Sequence, residues 1–218
     1  MSEMQVDVAV AYAELTSRLA DLGANGVRVV GVTKAHGPWA VQAACDAGIT
    51  AVGENYAQEV RDKAEVLAAA RATGVEVHFI GGLQTNKVRM VAGRVDVIQS
   101  VDRTSLIDEI ARRDAGIAVM IQVHHGSETN KAGCTPTEVH DLVEHAHRRG
   151  LDVLGLMTVG PTNGDRGATE AAFTATRALV DRLGLRECSM GMSDDLDIAV
   201  ACGTTMVRVG TALFGARR

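Results

Sequence analysis

A lysine ends a short run of valines, RVVGVTK at residues 28–34, and this lysine is well placed for covalent chemistry. β-Branched residues fill the run, and the stretch AHGP breaks it after Lys34, which predicts a buried strand. Side chains alternate along a strand, so Val30, Val32 and Lys34 are expected on one face. A lysine among buried valines has its ammonium form disfavoured and becomes nucleophilic toward carbonyl carbons. We therefore predict a Schiff-base lysine; the alternative is a lysine just past the strand end that reaches solvent.

The other lysines have less favourable surroundings for such chemistry. The 22 basic residues include only four lysines, namely Lys34, Lys63, Lys87 and Lys131. Lys63 falls within a predicted helix over residues 57–72, and we expect it on a solvated face. Lys87 begins a predicted helix, and Lys131 lies in a loop after the fifth predicted strand. Lys34 is thus the lysine expected to face the core from a strand.

Arg208 bears on what Lys34 would bind. It lies in the middle of another strand-like run, TMVRVGT at residues 205–211, on one face with Met206 and Gly210. An arginine that points into a core needs an acceptor, which is either a protein carboxylate or a ring nitrogen of a bound heterocycle. Both remain open, and the second would make pyridoxal phosphate the partner of Lys34.

The turn after this strand is a candidate phosphate site. Gly210 and Thr211 form a bare backbone turn that offers N–H groups and a hydroxyl where barrels often bind phosphate. Ser193 ends another predicted strand and can add a second hydroxyl. However, Ser193 with Asp194 and Asp195 also resembles a helix N-cap with an acidic first turn. Those aspartates would oppose a phosphate if they pointed inward, so Gly210 and Thr211 rank above Ser193 as anion ligands.

Strand-like and helical segments alternate along the chain. The predicted strands cover residues 28–34, 49–55, 76–82, 95–102, 117–123, 153–159, 187–193 and 205–211. The predicted helices between them cover residues 38–47, 57–72, 86–92, 104–113, 136–149, 169–183 and 194–202, after a leading helix within residues 4–22. Runs such as VLGLMTV at 153–159 are apolar on both faces, as parallel strands covered by helices must be.

Eight strand–helix units of this kind predict an α/β fold, a (β/α)8 TIM barrel with an extra N-terminal helix. The alternative is an open doubly wound sheet, but no G-x-G-x-x-G follows the first strand. No shift in composition marks a linker, so residues 1–218 are predicted to form a single domain. Functional residues of such barrels lie at the carboxyl ends of strands and in the following loops.

The composition argues against several classes of function. A net charge of −5 disfavours binding to nucleic acid or to an anionic membrane. Four scattered cysteines without a C-x-x-C pair predict free thiols in a reducing compartment. No signal peptide or long apolar span is present, so we expect a cytoplasmic protein. His140, His145 and His147 lack ligand spacing and a carboxylate partner, so we predict no metal site.

Motifs over most of the chain resemble those of one family. They are VTK (32–34), GENYAQE (53–59), HFIGGLQTNK (78–87), Glu128 with KAG (131–133), GLMT (155–158), SMGMSDD (189–195) and VRVGTALFG (207–215). From about residue 28 to the C-terminus, the sequence resembles the pyridoxal phosphate homeostasis proteins of the YggS/PROSC family. That family is similar to the barrel domain of alanine racemase. Taken together, the motifs are highly specific.

The resemblance implies roles for individual residues. It implies pyridoxal phosphate (PLP) bound as a Schiff base to Lys34, with Arg208 facing the pyridine nitrogen. The other implied ligands are Asn55 and Met157 near the ring and Ser193, Gly210 and Thr211 at the phosphate. A guanidinium beside the ring nitrogen keeps that nitrogen unprotonated, which weakens PLP as an electron sink and suits a protein that holds the cofactor.

Two places depart from the family pattern. Gly82 stands where the family often has histidine or a polar residue. Val123 is followed by His124 and His125, where Val-Asn is usual. Both departures are expected to change the polarity of the barrel mouth and not the cofactor site.

The leading hypothesis is a PLP-binding protein of intracellular PLP homeostasis, which holds the cofactor reversibly without substantial catalysis. The alternative is a PLP-dependent amino-acid racemase. Racemases of the related fold use a second base supplied by a further domain and a partner subunit, and neither Tyr12 nor Tyr56 is predicted to face Lys34. A third hypothesis, a cofactor-free Schiff-base aldolase, leaves Arg208 without a role. PLP-dependent apoenzymes are candidate recipients of the cofactor, and the lack of the second racemase domain favours a monomer.

Overall fold

Eight parallel strands form the centre of the molecule. The computed structural model describes residues 6–126, 132–161 and 164–216, and in these residues the strands close into a barrel in chain order. They are β1 (Arg28–Val32), β2 (Ala51–Glu54), β3 (Glu76–Phe79), β4 (Val97–Val101), β5 (Ala118–Val123), β6 (Asp152–Thr158), β7 (Glu187–Ser189) and β8 (Met206–Val209). The barrel closes where β8 pairs with β1, with Arg208 opposite Val30. The predicted (β/α)8 barrel is confirmed.

Helices surround the barrel. They are α1 (Val8–Asp21), α2 (Trp39–Asp46), α3 (Ala57–Asp62), α4 (Ala64–Ala72), α5 (Val88–Val91), α6 (Thr104–Arg113), α7 (Val139–Arg148), α8 (Arg166–Arg182), α9 (Leu196–Ala201) and α10 (Thr211–Phe214), with a short 3₁₀ helix (Thr85–Lys87) before α5. The predicted N-terminal helix is α1, which begins after Asp7. The Asp7 carboxylate accepts hydrogen bonds from the N–H groups of Ala9 and Val10, which have no partner within the helix.

The apolar core has two layers because successive residues of each strand face opposite sides. Val29 belongs to the layer between the strands and the helices. Val30 lies inside the barrel against Ala51 and Met206. A second interior cluster consists of Val97, Met120 and Met157. Both faces of the strands are buried, which explains why their sequences are apolar throughout.

The structure corrects several predicted boundaries. The strand predicted over 187–193 ends at Ser189, so Ser193 does not end a strand. The first strand ends at Val32, two residues before Lys34. The long helix predicted over 57–72 is interrupted at Lys63, where α3 ends and α4 begins. The sequence pattern did not indicate a helix after β8, yet α10 follows Gly210 directly.

The described residues contain no candidate membrane span, metal centre or disulfide. Across the described ranges, no helix combines the length and apolarity needed to cross a bilayer. The same ranges contain no group of three or more histidine, cysteine or acidic side chains arranged to hold a metal ion. The cysteines are free thiols, as predicted, and burial raises the pKa of Cys134 and of Cys188 to about 12. Such thiols are poor nucleophiles at neutral pH.

Candidate functional site

Lys34 lies in the turn after β1, at the end of the barrel where the carboxyl ends of the strands meet. The N–H of Thr33 still bonds to the Gly53 carbonyl of β2 at 3.0 Å, so Lys34 is the first residue after the sheet pairing. The prediction that Lys34 belongs to the strand is therefore wrong, whereas its place on one face with Val30 and Val32 stays a prediction. Its side chain is partly buried.

The turn that carries Lys34 has an unusual backbone. Ala35 has a φ of 59°, and no other non-glycine residue of the described chain has a positive φ. Left-handed backbone costs a residue with a Cβ about 1–2 kcal/mol and persists where neighbours hold it. Farther along the turn, the His36 ring lies 5.6 Å from the Trp39 ring and 5.9 Å from the Phe214 ring, measured between centroids.

A buried ion cluster lies behind this turn. The Lys63 ammonium donates to Glu54 Oε1 at 2.7 Å and to Glu59 Oε2 at 2.9 Å, and the Lys63 side chain is only 5% exposed. We call these three residues the Lys63 cluster. The expectation that Lys63 lies on a solvated face is wrong, because the helix breaks at this residue and its amine reaches the end of β2.

The two carboxyl groups of the Lys63 cluster differ in proton affinity. Burial raises the pKa of Glu54, although Lys63 opposes the shift, and within the described residues Glu54 Oε2 is buried without a hydrogen-bond partner. Burial also acts on Glu59, but hydrogen bonds from Lys63 and from the Ala35 N–H outweigh it and lower the pKa of that carboxyl. Glu59 is thus ionised at neutral pH, and Glu54 keeps a proton to higher pH than Glu59 does.

Arg208 points into the barrel from β8, the strand beside β1. Its Nη1 donates to Oγ and to the carbonyl oxygen of Ser189 at 2.6 and 2.8 Å, and its Nη2 donates to the Thr158 carbonyl at 2.7 Å. None of the described carboxylates forms an ion pair with it, so the carboxylate acceptor considered above is not found. Burial lowers the pKa of the guanidinium to about 10, so Arg208 remains a cation at neutral pH.

Hydrogen bonds continue from Arg208 down the inside of the barrel. Ser189 Oγ donates to Gln99 Oε1 at 2.8 Å. Gln99 Nε2 lies 2.7 Å from His78 Nδ1, and His78 Nε2 lies 3.0 Å from Glu76 Oε2. Donors and acceptors alternate along this line when His78 accepts at Nδ1 and donates at Nε2. Through Ser189, this line of hydrogen bonds holds the Arg208 guanidinium in one orientation.

The predicted phosphate ligands Gly210 and Thr211 stand at the start of α10. A Cβ on Gly210 would lie 3.3 Å from the Val32 carbonyl oxygen, so glycine keeps the space between β8 and β1 open. The N–H groups in the first turn of a helix have no partner within it and attract anions. Thr211 is exposed at this position. The turn therefore offers the groups that the sequence led us to expect.

Ser193 lies in the loop between β7 and α9, four residues beyond the end of β7 at Ser189. The alternative role of Ser193 as a helix N-cap is wrong, since Asp195 occupies the N-cap position of α9. Asp195 Oδ1 accepts a hydrogen bond from the Met192 N–H at 2.6 Å, and burial raises the pKa of Asp195. Both effects reduce the repulsion that Asp195 would exert on a phosphate.

Asn55 directly follows β2, and its Oδ1 is buried without a hydrogen-bond partner in the described part of the chain. Buried amide oxygens are almost always bonded, so this atom fits a donor on a bound molecule. Gly81 allows the close packing here, since a Cβ on it would lie 2.0 Å from the Asn55 carbonyl oxygen. Met157 is 1% exposed and lies inside the barrel, level with Ser189.

Both departures from the family pattern lie at the mouth. Gly82 is exposed, with open space where a Cβ would stand. His124 and His125 line a cavity of about 310 Å³ between the end of β5 and α8. Glu128 and Lys131, which carry part of the resemblance, lie outside the described residues.

Comparison with known proteins establishes the family. Residues 11–218 match the family described as "Alanine racemase, N-terminal domain". A Haemophilus influenzae protein named "Pyridoxal phosphate homeostasis protein" is 36% identical over 205 residues, which cover 88% of this chain and 86% of that protein. The chain belongs to the family of pyridoxal phosphate homeostasis proteins. The resemblance seen in the sequence motifs is confirmed.

Solved structures agree with this assignment. PipY from Synechococcus elongatus, solved without and with PLP bound, is 32% and 31% identical, with TM-scores of 0.85 and 0.81. Each alignment covers 95% of this chain and 100% of the PipY chain. Alanine racemase from Clostridium difficile is 13% identical, with a TM-score of 0.74. The alignment covers 96% of this chain but only 56% of the racemase chain. The racemase similarity shows the shared fold.

The Lys63 cluster is the part of the site region that sequence reasoning missed. Two signals pointed to it. Glu54 and Glu59 both belong to the family motif GENYAQE, and Lys63 follows Glu59 by four residues, a spacing at which helical side chains meet.

Proposed function

We propose that this protein binds PLP as a Schiff base on Lys34 and holds it reversibly in PLP homeostasis, without substantial catalysis. The observation that carries the proposal is Arg208, a buried cation on the strand beside Lys34 whose protein acceptors are a hydroxyl and two carbonyls. A structural role alone would favour a carboxylate partner. The family membership, and the relative whose structure contains PLP, support the choice of cofactor.

The residues at the mouth match the parts of PLP. When bound, PLP supplies an aldehyde that condenses with a lysine amine and a pyridine ring that withdraws electrons. Lys34 provides the amine. Asn55 Oδ1 would accept a hydrogen bond from the bound cofactor, and Met157 would supply an apolar surface near the ring. The phosphate is held by Ser193, Gly210 and Thr211.

Arg208 determines how the ring behaves. A guanidinium that is already cationic disfavours a proton on the adjacent ring nitrogen. An unprotonated ring nitrogen withdraws electrons weakly, so removal of a proton from a bound amino acid gains little stabilisation. This electrostatic arrangement suits storage and release of the cofactor.

Visible absorption spectra test the proposal. The purified protein with added PLP is expected to show a Schiff-base band that borohydride removes, and Lys34→Ala is expected to abolish it. Lys87→Ala is the control, because Lys87 lies at the end of the short 3₁₀ helix in the connection after β3 and should leave the band unchanged. A wild-type protein without a band in excess PLP, or a band that survives in Lys34→Ala, would contradict the proposal.

A racemase is the second candidate, favoured by the fold shared with alanine racemase. It requires an acid or base besides Lys34, and Tyr56 is the candidate because it adjoins Asn55 and is 51% exposed. Exchange of the α-proton of alanine in heavy water measures this activity directly. Exchange that depends on PLP and falls in Tyr56→Phe would favour the enzyme, whereas we expect exchange near the background rate.

Further expectations belong with this proposal. We propose a single domain over residues 1–218, a monomer, a cytoplasmic location and PLP-dependent apoenzymes as recipients. A storage protein must release its cofactor to a partner, and a reversible Schiff base permits that release. Transfer of PLP from the loaded protein to an apoenzyme, followed by the recovery of enzyme activity, measures this step.

A further inference from the structure

We propose that the Lys63 cluster positions Lys34 for Schiff-base formation by fixing the residues on both sides of it. This inference rests on the proposed function of Lys34. It assigns Lys63, Glu54 and Glu59 as positioning residues, since their roles act through the backbone of the turn.

The cluster holds the residue before Lys34 by two bonds. The Lys63 ammonium donates to the Thr33 carbonyl oxygen at 2.9 Å. Thr33 Oγ1 donates to Glu54 Oε1 at 2.7 Å, the same oxygen that accepts from Lys63. Thr33 is fully buried, so both bonds form away from water, where they are strong. The backbone entering Lys34 is thereby fixed.

The cluster holds the residue after Lys34 as well. The N–H of Ala35 points at the Glu59 carboxylate, 2.9 Å from Oε2 and 3.2 Å from Oε1. Ala35 has the left-handed φ of 59° that an alanine adopts only when it is held. The bond to the ionised Glu59 is charge-assisted and supplies that restraint. The direction of the chain leaving Lys34 therefore depends on Glu59.

Stability alone does not account for an ion cluster at this place. Charges buried away from water lose hydration, and apolar residues of similar volume stabilise proteins equally well or better. An apolar trio could not bond to the Thr33 carbonyl and the Ala35 N–H, which flank Lys34. The cluster provides fixed geometry for one short turn, which is what an approaching aldehyde needs from the amine it reacts with.

Matched substitutions separate positioning from stability. Glu59→Gln keeps the shape of the side chain but removes its charge, and Lys63→Met removes the cation from the cluster. The controls are Glu187→Gln and Arg28→Met, in an ion network at the opposite end of the barrel. Glu59 and Glu187 are 25% and 23% exposed, so the two glutamine variants perturb carboxylates of similar burial.

Three measurements on these full-length variants test the inference. The first is the rate at which the Schiff-base band forms after PLP is added. The second is binding of pyridoxine 5′-phosphate, which has the ring and the phosphate but no aldehyde. The third is the rate at which trinitrobenzenesulfonate labels Lys34 in the PLP-free protein, followed by mass spectrometry. Thermal unfolding of every variant reports its stability.

We expect a loss confined to the covalent step. Glu59→Gln should slow band formation about ten-fold and Lys63→Met more, while pyridoxine 5′-phosphate binding stays within two-fold of wild type. Labelling of Lys34 should also change at least three-fold in both variants. Glu187→Gln and Arg28→Met should lose thermal stability without these changes. If Lys63→Met does not fold, Glu59→Gln decides the question.

Two outcomes would overturn the inference. One is band formation and Lys34 labelling within two-fold of wild type in Glu59→Gln, whatever its stability. The other is an equal loss of band formation and of pyridoxine 5′-phosphate binding, which would indicate a general structural defect. Failure of the proposed function is distinguishable, because the wild type would then form no band. The labelling of Lys34 would still report whether the cluster positions its amine.

Discussion

Two ion networks, each with one basic side chain between two glutamates, lie at opposite ends of the barrel. At the mouth, Lys63 binds two glutamates. At the amino-terminal end of the strands, Arg28 binds Glu76 at 2.5 Å and Glu187 at 2.9 Å. These three residues, which we call the Arg28 network, are the first residues of β1, β3 and β7. The Arg28 network therefore joins three strands, whereas the Lys63 cluster holds one turn.

Burial separates the two networks further. The side chains of Arg28 and Glu76 are 27% and 43% exposed, against 5% and 0% for Lys63 and Glu54. Partly exposed ion pairs are screened by water and contribute little to stability. Buried pairs gain little when they form, but removing one partner leaves an uncompensated buried charge. The Arg28 network thus adds little stability, whereas the Lys63 cluster restrains the geometry of the turn strongly.

The largest expected difference is between Lys63→Met and Arg28→Met. We expect Lys63→Met to lower the free energy of unfolding by about 3–5 kcal/mol, because a buried carboxylate loses its partner. Arg28→Met should cost about 1 kcal/mol, because water solvates the carboxylates it leaves. Urea unfolding followed by circular dichroism gives both values. Equal losses in the two variants would mean that burial does not distinguish the networks.

Two close backbone contacts provide a second comparison. A Cβ on Gly81 would lie 2.0 Å from the Asn55 carbonyl oxygen at the mouth, and one on Gly155 would lie 1.8 Å from the Glu187 carbonyl oxygen. Both alanine variants must move backbone, at a cost of about 1–3 kcal/mol each. Only Gly81→Ala should also weaken pyridoxine 5′-phosphate binding, because it displaces Asn55. Equal affinities in the two variants would argue against a role for Asn55 at the ring.

Much of the fold could be predicted because the pattern of apolar residues follows the strands and helices directly. The helix Thr104–Arg113 has the predicted ends, and every predicted strand overlaps an observed one. The break at Lys63 could not be predicted, since residues 57–72 contain neither proline nor glycine and continue the helical pattern. A tertiary contact, the bond from Lys63 to the end of β2, accompanies that break.

The site could be predicted only in part. Alternation along its strand correctly placed Arg208 inside the barrel, because β8 is regular. Its acceptors could not be predicted, since Ser189 and Thr158 come from two other strands whose register the sequence does not reveal. The place of Asn55 and Met157 near the ring was indicated by the family resemblance alone. The roles of these residues toward PLP stay predictions.

The smallest expected effect is the pH dependence of the Arg28 network. Hydrogen bonding from His78, together with the charge of Arg28, lowers the pKa of Glu76 below its ordinary value of 4.5. The folded protein therefore binds this proton more weakly than the unfolded chain does. The stabilisation from Glu76 is complete above about pH 4.5 and is lost as the pH falls through the lowered pKa.

Glu76→Gln should therefore lose less stability than wild type does as the pH falls below 4.5. We expect a difference below about 1 kcal/mol, since Glu76 is 43% exposed and water screens its interactions. Thermal unfolding between pH 3 and pH 6 measures this difference against wild type.

Glu54→Gln should change the pH dependence of stability in the opposite direction. Because burial raises the pKa of Glu54, its contribution to stability falls as the pH rises from 4.5 through that raised pKa. If Glu54→Gln changed stability only below pH 4.5, as Glu76→Gln should, the Glu54 carboxyl would ionise more readily in the folded protein than in the unfolded chain. The contrast in burial between the two networks would then not extend to their protonation.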